Sequence, residues 1–173
     1  MMIRKEYLIA LLLIFVAAFS RVLPHPMNFT PVAAIALFGG VYFNRKFAIV
    51  VPLAALVISD YFLGFYSEII FVYVSFALTG VIGLWIQKRK STATIIGGTL
   101  VSAVLFFIIT NFGSWLVMPD VYSRSFDGLA ACYIAAIPFF RNSLAGDVLY
   151  VAVLFGMYEL AVKYIVHREL AEI

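Results

Sequence analysis

From Thr92 to Val117 the chain runs without one charged residue, and comparable apolar runs fill most of the remainder, with the charges pushed into the gaps between them. A run of that length belongs in hydrocarbon, since about 20 apolar residues in a helix match the roughly 30 Å of a bilayer core. Of the 173 residues 65% are apolar and only 12% charged, where soluble domains hold roughly half and a quarter. A chain this short keeps roughly a third of its unfolded surface exposed after folding, so a soluble core has no room for the excess. The sequence predicts a single integral membrane domain over residues 1–173.

Other classes fall away. Runs such as 100–109 do not alternate in polarity, as barrel strands must, so the fold class is all-α. A single cysteine, Cys132, rules out a disulfide framework and a cysteine-rich metal site, and the two histidines, His25 and His167, lie far apart. No metal and no cofactor are expected. The chain has no phosphate-cradling glycine loop, zinc-protease helix or nucleophile turn, so no catalytic residue is predicted and the chain reads as no enzyme. Work driven by ATP would need a motor on another polypeptide. The net charge of +3 is read as a topology signal, not as affinity for nucleic acid.

Arg4, Lys5, the apolar residues 8–19 and Ala18-Phe19-Ser20 imitate a secretory signal, but the chain downstream is equally apolar, and a retained first span is the simpler reading. Hydrophobic segments at 7–22, 31–43, 47–59, 68–87, 92–117 and 144–164 predict a polytopic protein of six transmembrane helices. A further stretch at 129–140 is too short to cross and fits a re-entrant or interfacial helix. The second and third segments are also short, so they either extend into their flanks or end on a water-filled cavity. Thr30 before Pro31, Ser67 and Ser91 are expected to cap helices, and Asn44 to end the second one. Of the 12 basic residues, Arg4, Lys5, Arg45, Lys46, Lys88, Arg89, Lys90, Lys163 and Arg168 fall on one side of this plan, and Arg21, Arg124 and Arg141 on the other. The positive-inside rule then puts both termini in the cytoplasm.

In that topology the polar residues gather in the outer half. Arg21, His25 and Asn28 lie in the first loop, Asp60 ends the third span, Asn111 and Trp115 sit one turn apart on the fifth, and Arg141 and Asp147 come last. Polar groups at membrane depth are buried in protein or line a cavity, so an outward-facing, aromatic-lined pocket is expected, with these residues as its substrate-binding set. Duller readings stand beside this one. Arg21 and Arg124 can snorkel to headgroups, and Trp115, Tyr122 and Tyr42 can be belt aromatics. Asp60 and Arg141 can form a structural ion pair, and Arg141 is also the expected partner of Asp147. His25, between Pro24 and Pro26, is held on a stiff loop, as a ligand contact or as an anchor. Ala33, Ala36 and Gly40, with Gly80, Gly83, Gly97 and Gly98, permit close helix packing, either internal or against another membrane protein.

The segments RVLPHPMNFTPVAAIALFGG at 21–40, Ser59-Asp60, TNFGSW at 110–115, Cys132-Tyr133, AIPFFRN at 136–142 and Gly146-Asp147 occur in this order. Together they resemble a family of small, uncharacterised prokaryotic membrane proteins grouped as candidate transport proteins, over roughly residues 10 to 160. More distantly, the six-helix plan with a long first outer loop and an aspartate closing the third span is similar to the S components of energy-coupling-factor vitamin transporters. Among those the solitary cobalamin-specific type is nearest. That resemblance implies an outward-facing site with His25, Asp60 and Arg141 at ligand positions and Tyr73 near where a ligand-side cysteine is expected. The chain departs from the pattern there, because its one cysteine is Cys132. It also implies a location in the inner (plasma) membrane of a prokaryote, contact with lipid, and a shared transmembrane coupling subunit with ATPases. Ala33, Ala36 and Gly40 are the expected docking face for that subunit, and loop 21–30 the lid.

Three functions follow as expectations. The first is the substrate-binding membrane subunit of a micronutrient importer, taking a vitamin-like ligand, with cobalamin as one candidate. The alternative is a structural or scaffolding protein of the cell envelope whose polar residues form an interhelical network. A membrane-embedded enzyme would need Asp60, Asp147 and His25 to converge.

Overall fold

The computed structural model describes residues 5–171, with side chains as far as residue 165, so Arg4 and the side chains of His167 and Arg168 lie outside the described residues. Six helices follow in order: α1 (Lys5–Ser20), α2 (Val32–Tyr42), α3 (Phe47–Leu63), α4 (Ile69–Gln87), α5 (Thr92–Val117) and α6 (Phe126–Ala171). Among the described residues there is no strand. Three helical stretches, Ile69–Gln87, Thr92–Val117 and Phe126–Ile165, are long and apolar enough to cross a membrane. The outside of the bundle carries large apolar side chains such as Leu12, Phe62, Val101 and Ile134. An apolar exterior of this extent has no counterpart on a soluble monomer and suits lipid.

The architecture is organised around α2, which touches all five other helices. Its sequence, VAAIALFGGVY, is apolar on every side, as a helix with no solvated face must be. Phe38, fully buried, meets Tyr42, Phe155 and Tyr158 edge-on or tilted. α1 adds Ala10, Ile14 and Ala17 to the same core. Close approach of α2 to α4 depends on glycines: a Cβ on Gly40 would overlap the Gly80 carbonyl oxygen and lie 2.7 Å from the Gly83 Cα. Ala33, Ala36 and Gly40 are therefore buried inside the bundle and cannot be a docking face for another subunit, which corrects the expectation for them. Gly97, by contrast, faces open space: a Cβ there would meet nothing within 4 Å.

A second correction concerns 129–140, expected as a separate re-entrant or interfacial helix. It is the first part of α6, a continuous helix of 46 residues that runs through Pro138 into the last span. A proline removes one backbone hydrogen bond and clashes with the preceding turn, so it kinks or strains a helix without necessarily ending it. Tyr133 Oη donates to the Ile108 carbonyl at 2.7 Å, and the Phe107 ring lies against Tyr133 and Phe140, so this part of α6 is fastened to α5.

The helix ends also sort by residue chemistry. Ser91 caps α5 with a full capping box, its hydroxyl accepting from Thr94 N while Thr94 Oγ1 accepts from Ser91 N. Asn44 turns out to serve the start of α3, its Oδ1 accepting from the Lys46 and Phe47 amides, while α2 ends before it. Thr30 and Ser67 do not cap, since the N-cap positions of α2 and α4 fall on Pro31 and Glu68. Ser91→Ala is expected to cost about 1 kcal/mol, visible as a lower melting temperature in detergent.

Candidate functional site

Two sets of contacts define the ends of the bundle. At one end Tyr7 stacks on Phe43, Gln87 Nε2 donates to the Val41 and Phe43 carbonyls, and Lys90 pairs with Glu159 at 2.6 Å. The basic loop residues Arg45, Lys46, Lys88 and Arg89 adjoin these positions in sequence. At the other end Arg21, immediately after α1, reaches Asp60 in the last turn of α3, Nη2 to Oδ1 at 2.8 Å, and donates from Nη1 to Ser59 Oγ. Asp60 is fully buried and the Arg21 side chain 10% exposed, so this pair is sealed into the protein. Gly64, at φ 95°, turns the chain away directly after it, its amide bonded to the Asp60 carbonyl.

Beside the pair lies a cavity of about 300 Å³. It sits where α2 begins, so the shortness of that helix leaves the space, as the sequence allowed. Four helices and two loops supply its lining, α2 through Val32 alone. α5 contributes Phe106, Phe107, Thr110, Asn111 and Ser114, and α6 contributes Ala136, Phe139, Phe140 and Ser143. Both series run at spacings of three and four, the signature of one helix face. Val72 and Phe76 come from α4, Tyr66 and Glu68 from the α3–α4 loop, and Arg21, Asn28 and Thr30 from the loop after α1. A small recess of about 40 Å³ shares Asn28, Thr30, Phe76, Phe106 and Ser143 with the cavity and adds Asp147, which is only 6% exposed.

Loop 21–31 covers this end and is itself held down. Asn28 adopts φ 61°, a left-handed conformation that asparagine tolerates. Asn142 Nδ2 donates to the Met27 carbonyl at 3.1 Å, and Phe29 packs on Tyr150 at 5.8 Å. A Cβ on Gly146 would come within 3.2 Å of Thr30 N, so a small residue there lets the loop lie against α6. Burial, with the Asp60 charge adding to it and Arg21 opposing, holds the Tyr66 hydroxyl well above the ordinary phenol range, so it remains a donor.

Of the residues the sequence singles out, Arg21, Asn28 and Asn111 line the cavity, Asp147 lines its recess, and Asp60 stands behind Arg21. The other three are placed elsewhere. His25 is exposed and closes a local turn, with Nδ1 2.7 Å from the Leu23 carbonyl. Trp115 donates to the Ser123 carbonyl at 2.9 Å and lies under Arg124, so it anchors the α5–α6 loop. Arg141 is exposed and pairs with neither Asp60 nor Asp147; the cation opposite Asp60 is Arg21. His25 therefore does not converge with Asp60 and Asp147 as the enzyme reading requires. Tyr73, equated above with a ligand-side position, packs against the cluster of Val32, Leu56 and Phe76. Tyr66, Glu68, Thr110, Ser114 and Ser143 join the lining without having stood out in the sequence, although Thr110 and Ser114 share the helix face of Asn111.

A larger groove of about 740 Å³ runs between α5 and α6 toward the other end, its lining mainly apolar, with Ile95, Leu100 and Val151 beside Tyr42, Lys90, Thr99 and Glu159. It offers a polar ligand little. Among the described residues no group of three or more histidine, cysteine or acidic side chains could hold a metal ion.

No curated protein and no solved structure matches the chain. One family model does match, over residues 1–169, and on that extent the chain belongs to the family of unknown function DUF6580.

Proposed function

We propose that this protein is the substrate-binding membrane subunit of a micronutrient importer, holding a small vitamin-like molecule in the cavity beside Arg21. The observation that carries the reading is a cavity of about 300 Å³, within the range of small-molecule sites, walled by aromatic rings and by Asn28, Thr110, Asn111 and Ser143 inside an otherwise apolar bundle. Polar groups at such depth are costly unless they serve a ligand or a network. The volume favours a compact ligand over a corrinoid, whose macrocycle and nucleotide loop exceed it. In this reading all six helices cross the inner membrane, the basic loops 44–46 and 88–91 face the cytoplasm with both termini, and the cavity opens outward under loop 21–31. Delivery requires an energising partner, and a coupling subunit would have to meet a surface other than the buried Ala33, Ala36 and Gly40.

The envelope scaffold remains the second reading because the Arg21, Ser59 and Asp60 network is also what pins two helices together. The two separate by experiment. Protein purified in mild detergent is expected to release a bound small molecule identifiable by mass spectrometry, or to gain thermal stability from one member of a vitamin panel. Thr110→Trp, which fills the cavity, is expected to abolish this, and Arg141→Ala to leave it intact. An empty wild-type protein that no vitamin stabilises would favour the scaffold.

A further inference from the structure

The charges and hydrogen-bonding groups around the cavity are unequal in a way that specifies a ligand. Arg21 is the one basic residue among the lining side chains, and its charge is directed inward to Asp60 and Ser59. Two acids have no such partner. Glu68 lines the cavity and Asp147 the recess, and among the described residues neither pairs with a cation. The amino-terminal end of α2 lies beside the recess and contributes about half a positive charge, which offsets only part of this. Asp147 is more than nine-tenths buried and faces a recess formed otherwise by Asn28, Thr30, Ala33, Phe76, Phe106 and Ser143.

The neutral polar groups point the same way. Thr110 Oγ1 donates to the Phe106 carbonyl at 2.8 Å and Ser143 Oγ to the Phe139 carbonyl at 3.2 Å. Each hydroxyl has thereby used its single proton, and what it keeps for a ligand is lone pairs. Asn111 Nδ2 gives one of its two protons to the Phe107 carbonyl, leaving the amide oxygen and one N–H. Tyr66 still offers a donor, but Thr110, Asn111, Ser143, Glu68 and Asp147 all offer acceptors, and the apolar surface is aromatic, with Phe76 and Phe106 stacked at 5.2 Å next to Asp147. Acceptors, aromatic faces and an unpaired buried carboxylate all favour one kind of guest.

We infer that the cavity selects an organic cation: a compact ligand with a positively charged nitrogen on an apolar or aromatic body, its charge set against Asp147 and its donors met by Thr110, Asn111 and Ser143. This deepens the importer reading and rests on it. An isolated carboxylate at this depth is costly, and a cationic guest removes that cost on binding. Divalent metal cations fit poorly, because Asp147 is the one carboxylate in the recess and its other oxygens, on Asn28, Thr30 and Ser143, are neutral.

The test uses wild-type protein in detergent and four small aromatic probes, benzyltrimethylammonium, 2-phenylethylammonium, benzoate and benzyl alcohol, with binding read by equilibrium dialysis and by thermal shift. The two cations are expected to bind about tenfold or more tightly than benzoate and benzyl alcohol, the margin of a charge-assisted contact. Asp147→Asn, nearly isosteric, is expected to erase that margin, and Thr110→Trp to block the cations. Because the comparison among probes needs no variant, it stands even if Asp147→Asn does not fold. Benzoate or benzyl alcohol bound as well as the cations, or cations held equally by Asp147→Asn, would overturn the inference. If neutral or anionic probes bind and Thr110→Trp blocks them, the importer reading survives while charge selection falls. If no probe and no vitamin binds, both fall.

Discussion

Arg21→Ala is expected to lower the stability of the bundle by about 3–5 kcal/mol, the usual cost of removing one partner from a buried ion pair. The size of the effect follows from the asymmetry of the pair. Asp60 is sealed, at 0% exposure, whereas Arg21 borders the cavity. Without Arg21 the carboxylate has no basic side chain to pair with among the described residues. Without Asp60 the guanidinium still reaches cavity water and Ser59. Asp60→Asn is therefore expected to cost clearly less than Arg21→Ala, and Arg21→Met with Asp60→Leu to recover most of the loss, since apolar replacement of a buried pair is often close to neutral. Melting temperatures of the four proteins in one detergent decide this. Equal losses for both single variants, or a double variant as poor as Arg21→Ala, would show that the pair is not what holds α1 to α3.

The second large effect is expected at Gly40 and Gly83. Each would place a Cβ 2.7 Å from the other's Cα, and one on Gly40 would also overlap the Gly80 carbonyl oxygen. These neighbours are backbone, so no rotamer change relieves the overlap, and α2 and α4 must separate. Gly40→Val or Gly83→Val is expected to exceed the usual 1–3 kcal/mol of overpacking and to give aggregated rather than monodisperse protein on size exclusion. Gly97→Ala and Gly156→Ala are the controls. Neither added methyl would meet anything within 4 Å, and both positions are helical, so a gain of up to about 1 kcal/mol is expected.

Much of the fold is legible in the sequence because the charges mark its gaps. Arg45-Lys46 and Lys88-Arg89-Lys90 fall between helices, and Ser91 announces α5 with its own cap. What misleads is punctuation of intermediate strength. Pro138, Arg141 and Asn142 read as a break, yet a proline removes only one bond of the ladder, and the packing of Tyr133 and Phe140 on α5 carries the helix through. The site is legible in part for a different reason. The sequence suggests Arg141 for Asp60 and leaves Arg21 to the headgroups, and only the approach of α1 to α3 shows Arg21 to be the partner. Phe106, Phe107 and Phe140 line the cavity while Phe62 and Phe126 cover the exterior, a distinction composition cannot make when both environments are apolar. Glu68 and Ser143 carry no signal in the sequence because loop and helix-end polar residues are ordinarily solvated.

The length of α6 has a mechanical consequence. Asp147 faces the recess and Glu159 meets Lys90 and Tyr42 at the far end, both on one helix with no proline between them. Twelve residues of helix span about 18 Å. With no break between the two residues, a tilt of the helix at Asp147 would also move Glu159 relative to the α4–α5 loop. The Lys90 contact there is exposed on both sides, so it yields at little energetic cost. If a guest at Asp147 tilts the helix, the distance between the α4–α5 loop and a label at residue 160 is expected to change, and an unchanged distance would show that the far end does not follow.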